Sequence, residues 1–112
     1  LLSVLTGLPL WAVESLLIDG ATGVAVSTAL SVTFNEALAL STINAGSVFL
    51  LDATDANIAG TINVSADRKT ITFTPASNLA ATTAYRLIFT TAITDLAGNK
   101  LAAPYVLNFT TA

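Results

Sequence analysis

The 112-residue chain reads as an all-β domain, an antiparallel β-sandwich of about seven short strands, and three features of the sequence say so. Apolar and polar residues alternate with period two along short runs, which is the signature of strands with one buried face. Thr, Val and Ile, which suit a pleated half-buried surface, dominate those runs. Clusters of Gly, Asp and Asn separate them at the spacing expected of turns.

The strands follow in order. "ALSVTFN" puts Leu30, Val32 and Phe34 on one face. "SVFLLD" is a nearly continuous apolar strand through Val48, Phe49, Leu50 and Leu51. "GTINVS" gives Ile62 and Val64. "KTITFTP" turns Ile71 and Phe73 inward and Thr70, Thr72 and Thr74 outward, and Pro75 ends the run because it cannot donate to a ladder. "AYRLIFTTAI" sets Tyr85, Leu87 and Phe89 against Arg86, Ile88 and Thr90. "PYVLNFTTA" turns Tyr105, Leu107 and Phe109 inward and Val106, Asn108 and Thr110 outward. "DGATG", "DATDAN", "ADRK" and "DLAGNK" supply turns, since Gly, Asp and Asn accept positive φ or bond their own backbone. "EALALSTINAGS" can hold one helical turn around Ser41 to Ala45.

Composition excludes several function classes. The chain is 54% hydrophobic and 10% charged, where an ordinary globular domain carries about 25% charge. So low a charge suggests surface covered by sugar or by neighbouring copies. The net charge of −3 and four scattered basic residues, Arg68, Lys69, Arg86 and Lys100, argue against nucleic acid. Cys and His are both absent, which removes disulfides, thiolate chemistry and the commonest general base and metal ligand. No cofactor and no enzymatic activity are expected. Methionine is absent too, including an initiator, and the start has no basic leader. These features predict a processed, secreted chain whose signal has been removed, located outside the cell or on its surface, with membrane contact only through secretion.

Specific residues carry a resemblance. "GATGVAVSTALSVTFNEAL" from Gly20 to Leu38 resembles the opening of the bacterial immunoglobulin-like domains found in S-layer proteins and large adhesins. The likeness continues through "KTITFTPASNLAATTAYRLIFTTAITDLAGNKL" and closes with "VLNFTTA", so it spans Gly20 to Ala112 in order. It implies an immunoglobulin-like sandwich and an extracellular scaffold role, and it implies no activity, because this fold hosts many. The division expected is an apolar extension over 1–19 and the sandwich over 20–112, with the extension adding an extra apolar N-terminal strand.

Each candidate site has a plainer counterpart. Asp95 and Asn99 offer oxygens to calcium, but one local carboxylate falls short of the six or so oxygens required. A turn capped by Asp95, with Gly98 at positive φ, is preferred, and no metal site is assigned. Tyr85 and Tyr105 fit buried rings whose hydroxyls tie down loops. Thr70, Thr72, Thr74, Thr90, Thr94, Thr110 and Thr111 read as solvent-facing strand residues, with a flat sugar- or ice-binding face as the weaker alternative. "NVS" and "NFT" make Asn63 and Asn108 candidate glycosylation sites in a secreted chain.

The opening "LLSVLTGLPLWA" poses the functional question. Gly7, Pro9 and Glu14 break the run of about 20 apolar residues that a membrane helix needs. A short amphipathic helix over Pro9 to Ile18 could pack on the same sandwich. The reading adopted is an extended strand donated to a neighbouring copy. Its anchors are Leu2, Val4, Leu5, Leu8, Leu10 and Trp11, and its acceptor groove is lined by Val32, Phe34, Leu107 and Phe109. Head-to-tail donation does not close, so it builds a filament of identical subunits, with glycans as further possible partners. The alternative is a spacer or adhesive module of a larger surface protein, with the opening segment packed in cis.

Overall fold

Two sheets carry out the alternation written in the sequence. The computed structural model describes residues 19–112 in full and residues 12–15 through their backbone. Nine strands lie among the described residues: β1 (Ala12–Ser15), β2 (Ala21–Val24), β3 (Leu30–Phe34), β4 (Val48–Asp52), β5 (Asn57–Ile58), β6 (Gly60–Val64), β7 (Thr70–Pro75), β8 (Ala84–Phe89) and β9 (Tyr105–Thr111). One sheet has the order β1-β3-β7-β6, the other β2-β9-β8-β4-β5. Every pairing is antiparallel except β2 with β9, which is parallel.

The period-two faces meet between the sheets. Leu30, Val32 and Phe34 of β3 and Ile71 and Phe73 of β7 face Val48 and Leu50 of β4, Tyr85, Leu87 and Phe89 of β8, and Leu107 and Phe109 of β9, all buried. Ile62, Val64 and Tyr105 pack against this layer from its margin and are half-buried. Leu38, Leu79, Ile93 and Leu101, all in connections, complete the core. Their loops are held to the barrel's ends by backbone bonds such as Leu38 N–H to Arg68 O (2.8 Å) and Leu79 N–H to Val26 O (2.9 Å).

Three local outcomes differ from the sequence expectation. "DGATG" and "DATDAN" turn as expected at Asp19–Gly20 and Ala53–Thr54, but their ends also enter strands, Ala21–Gly23 in β2 and Asn57 in β5. Both are short edge pieces, β2 paired with the distant β9 and β5 the return arm of a tight hairpin with β4, and neither is long enough for alternation to announce it. The sandwich also takes in Ala12–Ser15, upstream of the expected boundary at residue 20, because β1 pairs with β3 through Ala12↔Phe34 and Ser15↔Val32. The first strand is therefore split: β1 joins one sheet, and the chain then crosses to the other as β2. Gly20, at φ +86, sits in that crossing and donates its N–H to Asn108 O at 2.7 Å. The expected helical turn is a single 3-10 turn over Leu40–Thr42.

The register places Ala12 and Ala112 at opposite poles. β1 begins at Ala12 opposite Phe34, the end of β3 that also holds Phe89 and Tyr105. β9 leaves at Ala112, beside Val24 and the connection at Thr82.

Gly60, at the start of β6, marks a close approach of two neighbouring strands. A Cβ there would fall 2.5 Å from Phe73 Cζ and 2.6 Å from Thr74 O. The carbonyl belongs to a paired strand and cannot retreat. Gly60→Ala is expected to cost about 1–3 kcal/mol, read as a fall in the urea midpoint at unchanged slope. Phe34→Ala, which removes a fully buried ring packed edge to face on Phe89, should cost about 3–5 kcal/mol in the same assay.

Candidate functional site

The residues expected to matter fall into separate neighbourhoods. Leu2, Val4, Leu5, Leu8, Leu10 and Trp11, the anchors of the expected donor strand, lie outside the described residues. Val32, Phe34, Leu107 and Phe109 are each no more than 1% exposed, covered by the chain's own sheets. β3 lies between β1 and β7 and β9 between β2 and β8, so the expected groove along these two strands is already filled from within the chain.

The sheets end at β6 and β5 on the far side. β5 pairs only with Leu50 and Leu51 of β4. Between the two edges lies a shallow cavity of about 160 Å³ lined by Val48, Phe49, Ile58, Gly60, Ile62 and Phe73. This apolar dimple belongs to the edges, where no alternation rule would locate it.

The two candidate glycosylation asparagines differ in their surroundings. Asn63 is exposed on edge strand β6, opposite Thr72. Asn108 is exposed on β9, yet its backbone N–H and its Nδ2 both donate to Asp19 Oδ1, at 2.7 and 3.1 Å. Those two bonds, the backbone one first, hold the Asp19 carboxyl below its ordinary range. The hydroxyls on the outer face of the first sheet satisfy one another: Ser31 with Thr72 and Thr33 with Thr70, each at 2.9 Å.

Asp95 behaves as a turn residue. It is buried, and its Oδ1 accepts the N–H groups of Ala97 and Asn99, each at 2.9 Å, while Oδ2 accepts from Asn99 Nδ2 at 3.1 Å. Gly98 takes φ +88 beside it. Its carboxylate oxygens are thus spent on the loop. Among the described residues no group of three or more His, Cys, Asp and Glu could hold a metal ion. No helix among them is long and apolar enough to cross a membrane.

The pole that holds Ala112 is stitched most densely. Tyr85 is buried and stacks on Phe109, with ring centres 5.7 Å apart, and its hydroxyl accepts the Ala80 N–H at 2.8 Å. Thr111 was expected to face solvent and is instead 3% exposed. It follows Leu107 and Phe109 on the inward face, and its hydroxyl donates to Ala80 O at 2.6 Å and accepts from Thr83 N–H at 2.9 Å. The alternation that placed Phe109 inward extends to Thr111; its polar side chain hid the fact. Arg86 pairs with Asp55 at this pole, an exposed contact of small energetic weight.

Two stacked sheets, a first strand divided between them and a tyrosine fastening the connection before β8 define an immunoglobulin-like β-sandwich. The chain belongs to the bacterial Ig-like domain family, which matches it over residues 10–111. The N-terminal part of the bacterial S-layer protein SbsC superposes with a TM-score of 0.72 at 20% identity, covering 98% of this chain and 25% of that one. PcoC, a methionine-rich copper resistance protein from Escherichia coli, superposes at 0.74 with 14% identity, over 94% of this chain and 100% of that one. The native E. coli alpha-2-macroglobulin superposes at 0.70 with 16% identity, over 97% of this chain and 6% of that one. This chain therefore spans about a quarter of the SbsC fragment's length. No curated protein matches the sequence.

Hydrogen bonds hold the carboxyls of Asp19, Asp52 and Asp67 below 3.8, through Asn108, through the Thr54 hydroxyl and through the Ser65 hydroxyl respectively. A carboxyl depressed in the folded state stabilises it above the unfolded value and loses that contribution as pH falls through the folded one. The melting temperature should accordingly drop as pH is lowered below about 4, and Asp19→Asn with Asp52→Asn and Asp67→Asn should flatten that drop relative to the native chain. A scan of melting temperature from neutral to acid pH checks both. Tyr85→Phe, which strips the bond to Ala80, should cost about 0.5–1.5 kcal/mol in chemical denaturation.

Proposed function

We propose that the chain is a non-enzymatic immunoglobulin-like structural module of an extracellular surface protein, joined end to end with neighbouring domains. The observation that carries this reading is the placement of Ala12 and Ala112 at opposite poles of the sandwich. A module whose chain comes in at one pole and leaves at the other extends a string of domains. The likeness to domains of an S-layer protein, several of which fit within one chain there, supports the same reading. PcoC shares the fold and is named for copper and methionine, but this chain has no Met, Cys or His, so the soft donors that suit copper are missing. Sites that bear chemistry are not what this scaffold offers; a rigid, internally satisfied body is.

A second reading is the filament built by strand donation. It is favoured by the apolar run of Leu1 to Trp11 and by the apolar dimple between the β5 and β6 edges, an open flank where a neighbour's strand could add. Other copies of the chain are then its partners. Sugars on Asn63 are compatible with either reading, since that side chain stands on an exposed edge.

Chromatography and small-angle scattering separate the two. The module reading expects the full chain to be monomeric at micromolar concentration, and a tandem protein of two or three copies to lengthen by one sandwich per copy. Filaments from the single chain, lost on deleting Leu1–Trp11, would replace it with the second reading. Tandem copies that fold side by side into a compact body would overturn the end-to-end arrangement.

A further inference from the structure

We propose that the margin formed by β6 is a lateral contact with a second copy of the chain, the two strands pairing antiparallel about a two-fold axis at Ile62. This goes beyond the module reading, because it concerns the flank of the sandwich and not its poles. The strand register shows which groups are available. Ser65 N–H donates to Thr70 O and Ala76 N–H to Ala59 O, both at 2.9 Å. Bonded pairs of an antiparallel ladder fall at alternate residues, so Thr61 and Asn63 direct their backbone toward β7, opposite Thr74 and Thr72. The N–H and C=O groups of Gly60, Ile62 and Val64 therefore point away from β7, along the open margin.

Sandwiches protect such margins with charge, proline, bulges or shortness. The other margins here have such protection: β1 and β2 pair in broken register, and β5 is two residues long. The run "GTINV" of β6 pairs with β7 in unbroken register and carries neither charge nor proline.

Symmetry and charge select the occupant. A two-fold axis at Ile62 sets Ile62 against the partner's Ile62 and Gly60 against the partner's Val64, so each outward N–H meets a carbonyl. On the outer face Thr61 falls beside the partner's Asn63, and both positions are exposed and uncharged. The two ends of the strand differ in sign. Beyond Val64 the turn holds exposed Arg68 and Lys69, and before Gly60 the β4–β5 hairpin holds Asp52 and Asp55. Asp67 offsets one charge of the turn and Arg86 one of the hairpin, which leaves a positive end and a negative end. Antiparallel pairing brings the positive end of each copy to the negative end of the other, whereas parallel pairing would join like ends. The same pairing closes the apolar dimple beside Ile58 and Ile62 against its symmetry mate. So short a margin buries less than about 1,200 Å², the range of transient contacts. The single chain accordingly stays monomeric at micromolar concentration, and tandem modules pair more tightly because their margins are tethered together.

Sedimentation of the full chain up to about 1 mM tests the contact. A monomer that passes to a dimer, less readily as salt is raised, is expected. A monomer throughout overturns the proposal and leaves the module reading intact. Thr61→Cys and Asn63→Cys, made separately in the cysteine-free chain, report the register. Residues of a non-bonded antiparallel pair lie close enough for a disulfide. When the two variants are mixed and oxidised, the mixed disulfide should exceed its random proportion. A random mixture, or an excess of either homodimer, overturns the two-fold pairing. Thr61→Lys with Asn63→Lys should weaken the dimer roughly tenfold, and Thr61→Lys with Asn63→Glu should restore it. A dimer indifferent to the paired lysines, or one lost from a folded chain lacking Leu1–Trp11, would assign the contact to another face or to a donated strand and overturn the proposal.

Discussion

The sandwich depends on one layer of buried side chains that sets how far apart its two sheets stand. Phe34 from one sheet meets Phe89 from the other edge to face, with ring centres 5.6 Å apart, and Phe89 leans on Tyr105 at 6.0 Å. At the opposite pole Tyr85 stacks on Phe109. The aliphatic residues Leu30, Val32, Leu50, Ile71, Leu87 and Leu107 fill the space between these aromatic groups and are inaccessible to water. Each such side chain contributes about 1.5–3 kcal/mol against the cost of ordering the chain. Because the layer is continuous, register is not free: sliding any strand by one residue would turn its apolar face outward. The edge strands, the split first strand and the loop staples all take their positions from this fixed spacing.

Polar groups that enter the interior serve the connections. Ser47, Asp95 and Thr111 are the buried polar residues among those described. Ser47 bonds Thr42 O and the Asn44 N–H, Asp95 gathers the N–H groups of its own turn, and Thr111 grips the connection at Ala80–Thr83. Among the described residues, no buried side-chain polar atom is left without a partner. Each of these three side chains is consumed in fastening a loop to the sandwich. The same economy appears on the outer face of the first sheet, where Ser31, Thr33, Thr70 and Thr72 pair among themselves. Each pair shares one hydrogen bond across β3 and β7, the ordinary behaviour of threonine on the outer face of a sheet.

Much of this was legible beforehand, and the reasons for the misses are specific. Period-two alternation located Leu30, Val32, Phe34, Ile71, Phe73, Leu87, Phe89, Leu107 and Phe109 in the core, because a half-buried strand has no other way to write itself. Gly98 and Asp95 announced their turn through local chemistry. β2 and β5 did not announce themselves, since a strand of two to four residues on a sheet margin is created by its partner. The pairing of Asp19 with Asn108 was equally hidden: two polar residues far apart in sequence carry no local sign that they will meet. Leu38, Leu79, Ile93 and Leu101 lie in connections, where periodicity gives no direction, yet the core closes over them. The residues expected to line an acceptor groove, Val32, Phe34, Leu107 and Phe109, follow a related rule. Inward-facing residues were identified correctly, but inward residues of a complete sandwich are covered by its own second sheet.

The low charge of the chain now has a source other than a polymer. Among the described residues only Leu40 and Leu96 are large apolar side chains left exposed. The remaining exposed apolar positions are mostly alanine, as at Ala25, Ala45, Ala53, Ala66, Ala80 and Ala97. A methyl group raises the hydrophobic fraction of a composition as much as a leucine does, but it presents little apolar area to a partner. A surface of Ala, Thr, Ser and Asn is nearly neutral without being sticky, and neutrality does not by itself require a covering layer. Most of the large apolar side chains of the described sandwich are thus inside or half-buried. The strongly apolar stretch from Leu1 to Trp11 stands apart from that surface in composition, and an argument for burial against a neighbour rests on that stretch and on the dimple between the β5 and β6 edges rather than on the low charge.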